Sequence, residues 1–183
     1  KFALGVDIKW ISKSRVEISQ KRNIRDLLTR LGLNQAKGAR TPCELRINIT
    51  PGEMNVDLPD VPYRSVIGEL FWIARNSRPD IAFAVNYFSR YNNCYTMPMY
   101  KALLRVVRYL GSTIDQTLVF DSGLPTSMQF EFKLEKTTVT AFSDSDWAGD
   151  HQTRRSVSGG VLYYLGNYFQ SFSVIQKTVA LSS

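Results

Sequence analysis

The chain has 183 residues, 44% of them hydrophobic and 12% aromatic, which is material for one sizeable core or two small ones. No run of about 18 apolar residues is present, so a membrane-spanning helix is excluded. The net charge of +7 is uneven: residues 1–110 carry 18 Lys/Arg against 9 Asp/Glu, a net +9, and residues 111–183 carry 5 against 7, a net −2. A basic front and a carboxylate-bearing back suit a protein that grips phosphate with one part and places metal ions with the other; lopsided surface charge is the competing reading. Cys43 and Cys94 form no CxxC and meet no paired histidine, which argues against a disulfide scaffold or a zinc site and for a reducing, intracellular setting. The opening Lys1-Phe-Ala-Leu-Gly5 carries no initiator Met or signal pattern, and an interior piece of a longer polypeptide is expected.

In chain order, Phe2, Leu4, Val6, Ile8 and Trp10 alternate, Ser12–Ser14 turns, and Val16 and Ile18 alternate again, so residues 2–19 predict a β-hairpin. The period then becomes helical over Gln20–Leu31, with Ile24, Leu27, Leu28 and Leu31 as the apolar stripe and Gly32 as its stop. Arg22, Arg25 and Arg30 lie off that stripe, as phosphate contacts or as a solvated face. Residues 34–62, with Pro42, Pro51, Pro59 and Pro62, read as a loop or linker. Three helices follow. Tyr63–Arg75 buries Val66, Ile67, Leu70, Phe71 and Ala74; Pro79–Tyr91 buries Ile81, Val85 and Phe88; Pro98–Leu110 buries Leu103, Val106, Val107 and Leu110. On the last helix Lys101, Arg105 and Arg108 stand at i, i+4 and i+7. With Arg75, Arg78 and Arg90 they make a track for a nucleic-acid backbone, or else a helix kept soluble by cations.

After Leu110 the pattern turns to strands: Thr117–Phe120, Met128–Leu134, Thr137–Ser143, Ser156–Leu165 and Tyr168–Ile175, with a truncated helix from Thr178. Strands followed by a helix, with acidic residues ending one strand, suggest an α/β nuclease-type sheet. Thr140–Asp150 holds Asp144, Asp146 and Asp150 together. Like charges crowd there at a cost that a divalent cation relieves, so the stretch reads either as a Mg²⁺ site or as a polar turn. His151, the sole histidine, is a solvated loop residue or a proton carrier. Trp147 packs beneath the corner or stacks a base.

Two blocks carry a resemblance. YRSVIGELFWIARNSRPDIAFAVN at Tyr63–Asn86 resembles the "YRSxxGxLxYLAxxxRPDIxxAV" signature of Ty1/copia-type retrotransposon Pol polyproteins. Ala141–Gly159, followed by Lys177–Ser183, is similar to the opening of that family's ribonuclease H domain. Leu4-Gly5, the Gln20–Leu33 helix, Thr41-Pro42 and Arg105–Leu110 also fall in the family's order. The resemblance implies a mixed α+β to α/β chain. Residues 1–19 end the reverse transcriptase palm as a β-hairpin, 20–115 form the mostly helical thumb and connection, and 116–183 begin a truncated ribonuclease H-like mixed sheet. It further implies intracellular work, cytoplasmic in a virus-like particle or nuclear, on an RNA–DNA hybrid beside the remainder of the polyprotein and with no membrane.

Its implied chemistry is cleavage of the RNA strand with two ions, Mg²⁺ or Mn²⁺, held by four carboxylates. Asp144 matches the first carboxylate, and a swap with Asp146 stays open. The second ligand belongs to a "STEAEY" helix expected after Ser183, and the polymerase's YxDD before Lys1. This chain alone is therefore expected to be inactive. Gln170–Gln176 lacks the Trp and both lysines of the family's "SWSSKKQ", and Leu110–Thr113 shortens its "LKGT". These departures suit the alternative of a degenerate or domesticated, non-catalytic remnant that binds nucleic acid or protein.

Overall fold

The computed structural model describes residues 1–44, 50–122, 139–147 and 153–179. They form β1 (Phe2–Ala3), β2 (Val6–Trp10), β3 (Arg15–Ser19), α1 (Lys21–Arg30), α2 (Tyr63–Asn76), a short 3₁₀ turn at Pro79–Ile81, α3 (Ala82–Ser89), α4 (Met97–Ser112), β4 (Leu118–Asp121), β5 (Val139–Ser145), β6 (Val157–Tyr164) and β7 (Asn167–Ile175). The class is mixed α+β, with one sheet ordered β1-β2-β3-β4 and another ordered β5-β6-β7. Both sheets are antiparallel among the described residues, the second a three-stranded meander. The chain divides into two compact units, one of residues 1–8 and 18–118, the other of 9–17 and 119–183. The expected strand at Met128–Leu134 lies outside the described residues, as does the tail from 180.

The first unit is built on helical stripes. α1 buries Ile24, Leu27 and Leu28 and stops where Gly32 takes φ +66°, a conformation that costs glycine least. The Gly32 N–H donates to the Thr29 carbonyl and the Leu33 N–H to the Leu28 carbonyl, which satisfies two carbonyls of the last turn. α2 buries Tyr63, Val66, Ile67, Leu70, Ile73 and Ala74, and α4 buries Met99, Leu103, Val106, Val107 and Leu110. With Ile81, Ala84, Val85 and Phe88 they close one core. Phe71, expected inside, is exposed; Ile73, three residues on from Leu70, takes the inward position. The helix expected over Pro79–Tyr91 opens as the 3₁₀ turn at Pro79–Ile81 and continues as α3. The Tyr63 and Tyr95 rings stack at 4.3 Å, and the Tyr63 hydroxyl donates to the Phe88 carbonyl at 2.8 Å.

The alternation from Phe2 to Trp10 is not one strand. Leu4 and Gly5, both at positive φ, make a two-residue turn that folds β1 back on β2, pairing Phe2 with Asp7 and Ala3 with Val6. In the second unit the same chemistry recurs at Leu165 and Gly166, which turn β6 into β7. There Val139–Ser145 runs against Tyr164–Ser158, and β6 runs against β7 with one irregularity at Leu162/Tyr163.

Candidate functional site

Asp144 stands near the end of β5, opposite Gly159 of β6, which in turn stands opposite Ser173 of β7. Cross-strand partners share a face, so the row beside the Asp144 carboxylate contains no side chain at its middle position. A methyl group built on Gly159 would meet only the Phe172 carbonyl, at 3.9 Å. Asp144 is exposed, and one carboxylate oxygen accepts the Ser145 N–H at 2.8 Å. Asp146 differs. Its Oδ1 accepts the Val157 N–H at 2.6 Å while its own N–H donates to the Val157 carbonyl at 3.1 Å, adding a rung where β6 begins. Of the two aspartates considered as ligands, Asp146 is engaged in closing the ladder and Asp144 is the more open.

Trp147, expected beneath the corner, is exposed instead, with the Arg154 guanidinium 5.9 Å from its ring centre. Asp150 and His151 lie outside the described residues. No group of three or more His, Cys, Asp or Glu side chains able to hold a metal ion is found among the described residues. One open carboxylate beside one ladder-bound carboxylate does not compose a divalent-cation site, since such ions take six or more oxygen ligands.

The basic row resolves into different parts. Lys101 and Arg75 are exposed and Arg108 half-buried, and none has a side-chain partner among the described residues. Arg105 clamps a loop onto α4: its Nε donates to the Thr41 carbonyl at 3.2 Å, its Nη2 to the Thr41 hydroxyl at 3.0 Å, and Glu44 lies 3.4 Å from Nη1. Arg90 lies over the Tyr87 ring. Arg78 departs furthest from the expected track, being only 3% exposed. Its Nε and Nη2 donate to the two Asp80 oxygens at 3.0 and 2.8 Å, and its Nη1 and Nη2 to the Thr113 carbonyl and hydroxyl at 3.1 and 2.6 Å. The guanidinium also lies over the Tyr109 ring, whose hydroxyl donates to Asp80 at 2.8 Å. Burial, with the Asp80 hydrogen bond second, raises the Tyr109 pKa. Arg78 thus ties the start of the second predicted helix to the end of α4, and its donors are not directed at a ligand.

Along its whole length the chain is 34% identical to the retrovirus-related Pol polyprotein from transposon RE2 of Arabidopsis thaliana, of which it spans 12%. It is 31% identical over its whole length to an uncharacterized mitochondrial protein of Arabidopsis thaliana, covering 70% of that protein. It is also 35% identical, over 69% of its residues, to secreted RxLR effector protein 161 of Plasmopara viticola, covering 81% of that protein. No protein-family profile matches the chain, and no solved structure is significantly similar.

Proposed function

This chain belongs to the copia-type retrotransposon Pol polyproteins, and on that premise we propose that it is the part of such a polyprotein that grips an RNA–DNA hybrid and supplies one carboxylate to RNA-strand cleavage. The gripping surface in this reading is the exposed side of α4, with Lys101 and Arg108, helped by Arg75 at the end of α2. Asp144 is the carboxylate. In this reading the remaining ligands for Mg²⁺ or Mn²⁺ are supplied by other parts of the polyprotein. Among those residues no helix is long and apolar enough to cross a membrane.

The observation that carries the reading is the contrast between the two exposed aspartates: Asp146 is bonded across the ladder to the Val157 backbone, while Asp144 is bonded only to the next residue and stands beside a glycine. The test is made in the full polyprotein, assayed for cleavage of the RNA strand of a hybrid and for DNA synthesis. Asp144→Asn should abolish cleavage and leave synthesis in place. Undiminished cleavage by that variant sinks the assignment.

A second reading rests on the two relatives that this chain covers by 70% and 81%, proteins far shorter than a polyprotein. There the segment works as a non-catalytic adopted fragment that binds nucleic acid or protein. Hybrid binding that survives while Asp144→Asn changes nothing in the polyprotein would favour it.

A further inference from the structure

The second unit contains a cleft of about 380 Å³, a size that suits a small molecule. Three separate segments line it: the β2–β3 turn, the end of β4 and the β6–β7 turn. Val16, Phe120 and Tyr168 are its half-buried lining, while Trp10, Tyr164 and Phe169 are 62%, 53% and 68% exposed.

Two features mark it as built. Phe169 is the extra residue of a β-bulge: Leu162 pairs with Gln170 and Tyr163 with Tyr168, so Phe169 has no partner across the ladder. A bulge redirects a side chain, and this one presents a phenyl ring among the cleft's lining residues. The lining is also tied together. The Asp121 N–H donates to Asn167 Oδ1 at 2.6 Å, and Asn167 Nδ2 donates back to the Asp121 carbonyl at 2.8 Å. The Ser122 N–H joins the Ser14 carbonyl at 2.9 Å, which holds the β2–β3 turn in place. Exposed rings on a fixed floor serve no core.

Charge selects the occupant. Lys13 lines the cleft, and Lys9 is exposed on the same strand pair; neither has a partner among the described residues. Arg15 is paired with Glu17. Among the described residues Asp121 is the one acidic residue of the lining. Flat rings beside lysines match a base joined to a phosphate. A greasy peptide would leave the lysines unanswered. We propose that this cleft holds an unpaired nucleotide of a single strand, its base stacked on Trp10 and Phe169 and its phosphate on Lys13. A base must leave its duplex to enter such a slot, so the site is selective for single strands. The inference deepens the proposed function and rests on its nucleic-acid reading.

The test titrates the chain with a single-stranded oligothymidylate and, separately, with an RNA–DNA hybrid of equal length. Single-strand binding should quench tryptophan fluorescence. Trp10→Ala and Phe169→Ala should each weaken it by roughly tenfold, the scale of one lost stack, with Trp10→Phe restoring most of the loss. Lys13→Ala, an exposed change that spares the fold, should lower the salt slope of single-strand binding by about 0.7. Hybrid affinity should be unchanged in all of these variants. Unchanged single-strand affinity in Phe169→Ala and Lys13→Ala overturns the proposal, as does an apolar dye that depends on Trp10 and is not displaced by the oligonucleotide. Loss of hybrid binding by the parent chain, with single-strand binding intact, overturns the proposed grip on α4 and leaves the cleft standing.

Discussion

The Arg78 network allows a stability prediction whose sign depends on which partner is removed. Arg78 is 3% exposed, whereas the Asp80 side chain is 36% exposed. Removing the carboxylate by Asp80→Ala leaves a guanidinium in the interior with two of its four bonds lost and little water to replace them. Breaking a fully buried pair costs about 3–5 kcal/mol, and the partly wet carboxylate argues for the lower end, about 3 kcal/mol. Removing the guanidinium by Arg78→Met keeps most of the volume. Asp80 can then rehydrate, and Thr113 keeps the bond its hydroxyl donates to the Tyr109 carbonyl at 2.7 Å. What is lost is one of two bonds to the Thr113 carbonyl, which keeps the Gln116 N–H at 3.0 Å, so the cost is that of one ordinary hydrogen bond, about 1 kcal/mol. Truncating the more exposed partner should therefore hurt more than truncating the buried one. Urea unfolding measures this in a background where Trp72 of α2 is the sole tryptophan, so that the first unit alone is followed. If Arg78→Met costs as much as Asp80→Ala, the reasoning fails.

Three further outcomes follow from the geometry. Burial raises the Tyr63 pKa, so the protonated phenol is favoured by folding; its contribution is complete below the unfolded value near 10 and is lost as pH rises through the folded one. Stability should fall above about pH 10 by up to 1.36 kcal/mol per pH unit for this group, and Tyr63→Phe should flatten that slope in alkaline urea titrations while costing about 1 kcal/mol at neutral pH for the Phe88 carbonyl it leaves. Asp146→Ala should destabilise the second unit by about 1–2 kcal/mol through the orphaned Val157 N–H, while Asp144→Asn changes its unfolding midpoint little; equal effects would contradict the different bonding of the two residues. Replacing Lys101 and Arg108 by Ala should reduce the salt slope of hybrid binding by about 1.8, and adding Arg105→Ala should lower it little further because Thr41 holds that guanidinium; an unchanged slope in the double variant assigns the row to a solvated face.

The helices were legible because their apolar residues recur every three or four positions, and burial of one stripe per helix leaves no other solution. Alternation was a poorer guide. It continues undisturbed in the sequence through Leu4-Gly5, but a two-residue turn pairs even positions with odd ones, so Phe2 and Val6 end on opposite faces. Leucine at positive φ is no sequence signal for such a turn. Phe2 consequently faces Asp7 across the hairpin rather than following Val6 along one strand. The corner at Asp144 was visible as a crowd of carboxylates, but spacing does not tell a carboxylate bonded across the ladder, as Asp146 is, from one bonded only to the next residue, as Asp144 is. The aromatic cleft was not visible at all. Its residues come from three segments up to 159 positions apart, and its decisive ring stands at a bulge that only the strand register reveals.

The longest recognisable block deserves a physical reading of its own kind, because its residues are turned inward. Within Tyr63–Asn86, Tyr63 donates to the Phe88 carbonyl, Arg64 binds the Asn92 carbonyl at 2.9 Å and Asn93 Oδ1 at 3.0 Å, and Arg78 is locked to Asp80 and Thr113. Ser65 reaches Glu69 on the same helix, and Glu69 pairs with Arg30 of α1. The polar residues that the signature fixes therefore join α2 to its neighbours, and Arg75, which stands between them, is the exposed exception. Such a block identifies a fold: any chain that must pack these helices this way has reason to keep it, whether or not it handles nucleic acid. The residues that can decide function are the ones the signature omits, namely Lys101 and Arg108 on α4, Asp144 beside its glycine, and Trp10, Lys13 and Phe169 at the cleft. On the proposed reading, a chain that kept the block and lost those side chains should fold alike and lose its hold on nucleic acid.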